Sequence, residues 1–88
     1  MHAVLVKVTI ADREAAEKAL HEQVVPGVSG APGFVAGYWL HLSGGKGASV
    51  LVFESEQAAQ AFAGQFQPPS DAPVTMDSIE VGEVVASA

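Results

Sequence analysis

The chain has no cysteine, and its four lysines and arginines face ten aspartates and glutamates. The first absence removes disulfides, thiolate nucleophiles and zinc sites built on sulfur. The second leaves a formal charge of -6, which repels phosphate. With no basic stripe to offset that charge, neither nucleic acid nor an anionic membrane surface is an expected partner. Long apolar runs are missing too. The amino-terminal AVLVKVTI is too short to span a bilayer, holds Lys7, and leads into ADREAAEKAL rather than a cleavage site, so a cytoplasmic protein is expected. No internal repeat of useful length and no low-complexity tract occurs, and asparagine is absent altogether.

Apolar residues are what the chain has in plenty, 49% of 88. The length suits one domain, residues 1 to 88. A chain of this size buries only about 60% of the surface its unfolded form exposes. So large an apolar share therefore points to surface shared with a second subunit.

In HAVLVKVTI, Val4, Val6, Val8 and Ile10 fall at period two with Lys7 and Thr9 on the alternate face, which predicts a strand. Asp12 stands at an N-cap position, Glu14 lies in the first turn, and Ala15, Ala16, Ala19, Leu20 and Val24 recur at helical spacing. Glu14 and Lys18 are placed for an i,i+4 pair, and Pro26 with Gly27 is expected to end this helix. GVSGAPG reads as a connector, residues 34 to 42 as a second strand, SGGKG as a turn and residues 48 to 54 as a third strand. Ser55 then caps EQAAQAFAGQF, whose Ala58, Ala59, Phe62 and Phe66 form an apolar stripe. The three prolines of QPPSDAP exclude helix and central strand, and residues 74 to 86 read as a last strand with a break expected near Gly82.

The order βαββαβ predicts an α+β, ferredoxin-like fold: a four-stranded antiparallel sheet with two helices on one face. In the third strand Leu51 and Phe53 alternate with Val50 and Val52, apolar on both sides, as in sheets buried on both faces. The face without helices is therefore expected to meet a copy of itself, giving a homodimer.

The phrases APGFVAGYWL and VLVFESEQAAQAF resemble the antibiotic-biosynthesis-monooxygenase-like family of the dimeric α/β-barrel superfamily. In that family a PGF leads the second strand and an aromatic-Glu-Ser stretch opens the second helix. The resemblance spans nearly the whole chain by element order and rests on a few motif residues. It implies an eight-stranded barrel from two subunits, helices outside, and a small-molecule pocket in each subunit between helices and sheet. Members divide among cofactor-free oxygenation of polyketide-type aromatics, haem breakdown, isomerisation and no known activity. The haem-degrading branch uses an Asn on the first strand, a Trp ending the third and a His on the second helix. Here there is no Asn, Phe53 stands in the place of that Trp, and no His lies between Ser55 and Phe66. Haem breakdown by that arrangement is not expected, and neither a cofactor nor a metal is.

Tyr38 and Trp39 are strand neighbours and so point to opposite faces. Either could stack an aromatic substrate and offer a polar handle, and either fits plain packing in a core or a dimer. Phe62 is a candidate substrate contact that also suits a core position on the helix stripe. His41 is the candidate acid or base: it shares strand parity with Trp39, and an imidazole with a pKa of about 6.5 transfers protons near neutrality. A partly exposed hairpin histidine is its plain alternative. His2, at a strand end, and His21, on the polar side of the first helix, are expected to be solvated. No two histidines have metal-site spacing. SGGKG lacks the phosphate-loop spacing and precedes a strand, and Asp77, Glu80 and Glu83 read as a solvated strand face.

Oxygenation without metal or flavin takes its electrons from the substrate, as a deprotonated phenol or enol. The protein then supplies a dry pocket, a base and donors for the anion. Two readings follow: a small-molecule binder or cofactor-independent monooxygenase acting on a hydroxylated aromatic, and a non-catalytic dimeric binding or structural module.

Overall fold

The valines of the first strand set the layering. The computed structural model describes residues 1–65 and 74–88, beginning with β1 (His2–Ile10), in which Val4 and Val6 are fully enclosed while Lys7 is exposed. The chain continues through α1 (Arg13–Ala19), a π turn (Leu20–Val24), α2 (Val25–Ser29), β2 (Phe34–Leu42), β3 (Lys46–Phe53), α3 (Glu56–Gln65) and β4 (Val74–Glu83). The four strands form one antiparallel sheet in the order β2-β3-β1-β4. Val28 of α2 and Ala59 of α3 join Val4, Val6, Leu51 and Phe53 in a single core. Both helical stretches therefore cover the same face, an α+β arrangement compatible with the ferredoxin-like fold.

Both expected caps form. The Asp12 carboxylate accepts from the Ala15 N–H at 3.2 Å and the Ser55 hydroxyl from the Ala58 N–H at 3.1 Å, satisfying donors that a helix start leaves unpaired. The i,i+4 ion pair observed among the described residues is Arg13 with Glu17, at 3.2 Å, in place of Glu14 with Lys18. Gly33 adopts φ +77°, and a β-carbon there would sit 2.8 Å from that of Ala58. Only glycine lets α3 rest on the entry to β2.

Three boundaries differ from the sequence expectation. Pro26 does not end the first helical stretch, which runs on to Ser29. In the π turn the Val25 N–H reaches back to the Leu20 carbonyl. Pro26 then falls in the first turn of the next segment, where its missing donor costs no helical bond. The hairpin loop is shorter than SGGKG, because Leu42 pairs with Lys46 and His41 with Gly47. Gly44 and Gly45 make the reversal at φ +75° and +73°. The last strand is unbroken at Gly82, which pairs with Ala3; its register shifts instead at Asp77, opposite Lys7 and Val8, and the strand ends at Glu83. QPPSDAP and Phe66 lie outside the described residues.

The second sheet face carries Leu5, Val50, Val52, Tyr38, Leu40 and Leu42, as the register dictates. Tyr38 is 63% and Leu40 50% exposed there. Its apolar centre gives way at one corner to a polar group, in which Lys46 Nζ donates to Thr9 Oγ1 at 2.7 Å and Thr9 Oγ1 donates to Asp77 Oδ2 at 2.7 Å. Among the described residues no helix is long and apolar enough to cross a membrane.

Candidate functional site

Side-chain size falls along the helix-covered face of β3, from Phe53 and Leu51 to Ser49 and then Gly47. The large end makes the core. Phe53 is 0% exposed, with its ring centroid 5.8 Å from Phe34, edge-on, and 5.3 Å from Phe62. Over the small end there is too little side chain to fill the space. Toward the sheet the first helical stretch contributes small and aliphatic residues, among them Ala16, Ala19 and Val24. α3 lies directly on β1, β3 and β4, whereas α1 and the π turn stand off the sheet. The result is a cavity of about 830 Å3.

Val6, Val8, Val24, Val28 and Leu51 give this cavity its apolar walls, and Trp39, paired with Ser49 across β3, lies on its floor. Ser49 and Tyr38 are the hydroxyl-bearing residues among its described lining residues. The indole folds back along β2. A β-carbon on Gly37 would lie 2.9 Å from Trp39 Cη2 and 3.1 Å from Phe34 Cζ, so the ring occupies the space that the glycine leaves. Gly37→Ala is therefore expected to displace the indole into the cavity and lower stability by about 1–3 kcal/mol, as overpacking does. Urea unfolding together with Trp emission would check it, and an unchanged midpoint and spectrum would show the ring to lie elsewhere.

His41 shares the face of Trp39 at the open end of β2, opposite Gly47. It borders the cavity and is exposed to solvent, and it makes no hydrogen bond or ion pair among the described residues. Tyr38 follows strand alternation onto the opposite face, where it pairs with Val50. It borders the cavity by its place on β2, with its ring turned away. Phe62 packs against Phe53 and lines a second, smaller hollow of about 440 Å3 between α2 and α3. The large cavity thus joins Trp39 with His41 and leaves the Phe62 ring outside.

The structure brings further residues to the cavity, including His21, which is exposed as its place on the polar side of the helix implied. His21 and Gln23 of the π turn and Arg13 and Glu17 of α1 all border the cavity. Arg13 and Glu17 are four apart, a spacing that placed them on one helix side in advance. His21 carried no such signal, because the π turn changes the residue spacing on which a helical wheel relies. His2 differs from expectation: its side chain is only 21% exposed, with Nε2 3.5 Å from Glu56 Oε2 and Nδ1 buried without a partner among the described residues. It pairs with Phe53 across the sheet, and the neighbouring core shields it from water. Compared with known proteins, the chain matches no protein-family model, no curated protein and no solved structure.

Proposed function

We propose that this chain is a cytoplasmic, small-molecule-binding protein of the dimeric α/β-barrel kind. On this reading it resembles the antibiotic-biosynthesis-monooxygenase-like family, and its cavity takes a hydroxylated aromatic or polyketide-like compound for cofactor-independent oxygenation. The observation that carries the proposal is the cavity of about 830 Å3 between helices and sheet, with Trp39 on its floor and His41 at its edge. Ligand pockets have this size, these apolar walls and this small number of polar groups. Trp39 stacks the ring. His41 takes the phenol or enol proton. The substrate anion supplies the electrons to oxygen; one oxygen atom becomes a ring carbonyl and the other leaves as water, raising the phenol to the quinone level.

The second reading, a binding module without catalysis, draws on the lone state of His41. A catalytic imidazole ordinarily has a partner that fixes its tautomer, and among the described residues His41 has none. Oxygen uptake with a panel of hydroxylated aromatics and quinols separates the two, since binding without uptake selects the module.

Two variants test the cavity. Ser49→Phe is expected to obstruct it beside Trp39 and weaken binding measured by calorimetry while the melting temperature holds. Trp39→Leu is expected to weaken binding about threefold to tenfold, the usual worth of an aromatic stack, with a smaller loss of stability than truncation of Phe53 causes. Parental affinity in Ser49→Phe would place the ligand elsewhere.

A further inference from the structure

Five polar residues border the cavity while remaining exposed: Arg13, Glu17, His21, Gln23 and His41. They form its rim. Arg13 is the only permanent cation among them, and Glu17 the only acid. The other cations stand elsewhere: Lys7 and Lys46 on the opposite sheet face, and Lys18 on α1 outside the cavity lining. The chain as a whole carries charge -6, while at this rim the charges of Arg13 and Glu17 cancel.

The Arg13–Glu17 contact is loose. It runs through the guanidinium Nε alone, at 3.2 Å, between side chains that are 65% and 55% exposed. A guanidinium has five N–H donors, and among the described residues this one is the only one engaged. The forked edge that grips carboxylates in pairs is open. An exposed pair of this kind is weak enough to be exchanged.

We infer that Arg13 is the anion receptor of the cavity and Glu17 its built-in competitor, so that the preferred ligand is a ring-bearing apolar compound with one carboxylate. The inference rests on the reading that the cavity binds small molecules. The ring enters the apolar interior beside Trp39, and the carboxylate remains at the rim, where it displaces Glu17 from Arg13. One cation selects a monoanion over a phosphate ester, whose second charge would find no partner and would meet the field of the acidic surface. His21 and His41 offer further N–H donors on the rim.

Titration with 2-naphthoate and with its neutral counterpart 2-naphthalenemethanol, at pH 8 and low salt, tests this through quenching of Trp39, the only tryptophan. Naphthoate is expected to bind about threefold to tenfold more tightly than the alcohol. Arg13→Gln should erase that difference with the alcohol unaffected. Glu17→Gln should tighten naphthoate by up to about fivefold, the worth of an exposed pair, again with the alcohol unaffected. Equal affinities in the parent protein, a preference that survives Arg13→Gln, or weaker naphthoate binding in Glu17→Gln would each overturn the assignment. Binding of the alcohol with naphthoate excluded overturns the charge assignment alone, whereas failure of both to bind overturns the small-molecule cavity with it.

Discussion

Phe53→Glu is expected to leave no cooperatively folded protein. The ring is fully enclosed, edge-on to Phe34 and close against Phe62. It is the largest side chain at the packed end of β3. A carboxylate in its place finds no buried cation: His2, the cross-strand neighbour, directs its Nε2 to Glu56. An unpaired buried charge costs several kcal/mol, which rivals the roughly 5–15 kcal/mol of net stability of a small domain. Phe53→Ala supplies the graded comparison: it should fold and lose about 3–5 kcal/mol, the range for emptying an aromatic site. Urea titration followed by circular dichroism measures both. A glutamate variant within about 1 kcal/mol of the parent would mean that residue 53 reaches water.

Val50→Glu, three residues earlier, is expected to do something different. Val50 stands at the centre of the other sheet face, with Leu5 and Tyr38 as its cross-strand neighbours. If two chains pair there, a glutamate from each meets its copy near the twofold axis, and the mutual repulsion with desolvation costs several kcal/mol. The dissociation constant should rise by about a thousandfold while each chain keeps its sheet, since in a lone subunit the side chain turns to solvent. Sedimentation velocity at micromolar concentration distinguishes the outcomes. A parental monomer removes the dimer altogether, and a dimer undisturbed by the substitution moves the interface to another surface. The face itself, four strands by nine residues in β1, spans roughly 20 by 30 Å at ordinary strand spacing. That is the scale of one side of a standard interface.

Much of this layering is written in local pattern. The valines at period two in β1, the Asp12 and Ser55 caps, and the apolar stripe of Ala58, Ala59 and Phe62 depend on neighbours within a few residues, and all of them stand in the structure as the sequence implies. That Tyr38 and Trp39 diverge follows from strand alternation by itself. Boundaries were less legible. Lys46 and Gly47 carry turn chemistry yet extend the β2–β3 ladder, because pairing with a partner strand outweighs local preference. Pro26 carries a stop signal that the π turn absorbs.

Which residues share a face is legible in local pattern, because faces depend on backbone periods of two and 3.6 residues. Which face holds space depends instead on contacts between elements distant in the chain. The cavity lies between Trp39 and Ser49, from two strands, and Ala16, Ala19 and Val24 of a helical stretch far off in the chain. Whether small residues close up or leave a gap depends on how near the helix approaches. That distance is set elsewhere, by α2 where Val28 meets the core and by the π turn that carries the chain to it. The same remoteness hid Arg13, Glu17 and His21, whose meeting with His41 around one opening belongs to no local segment.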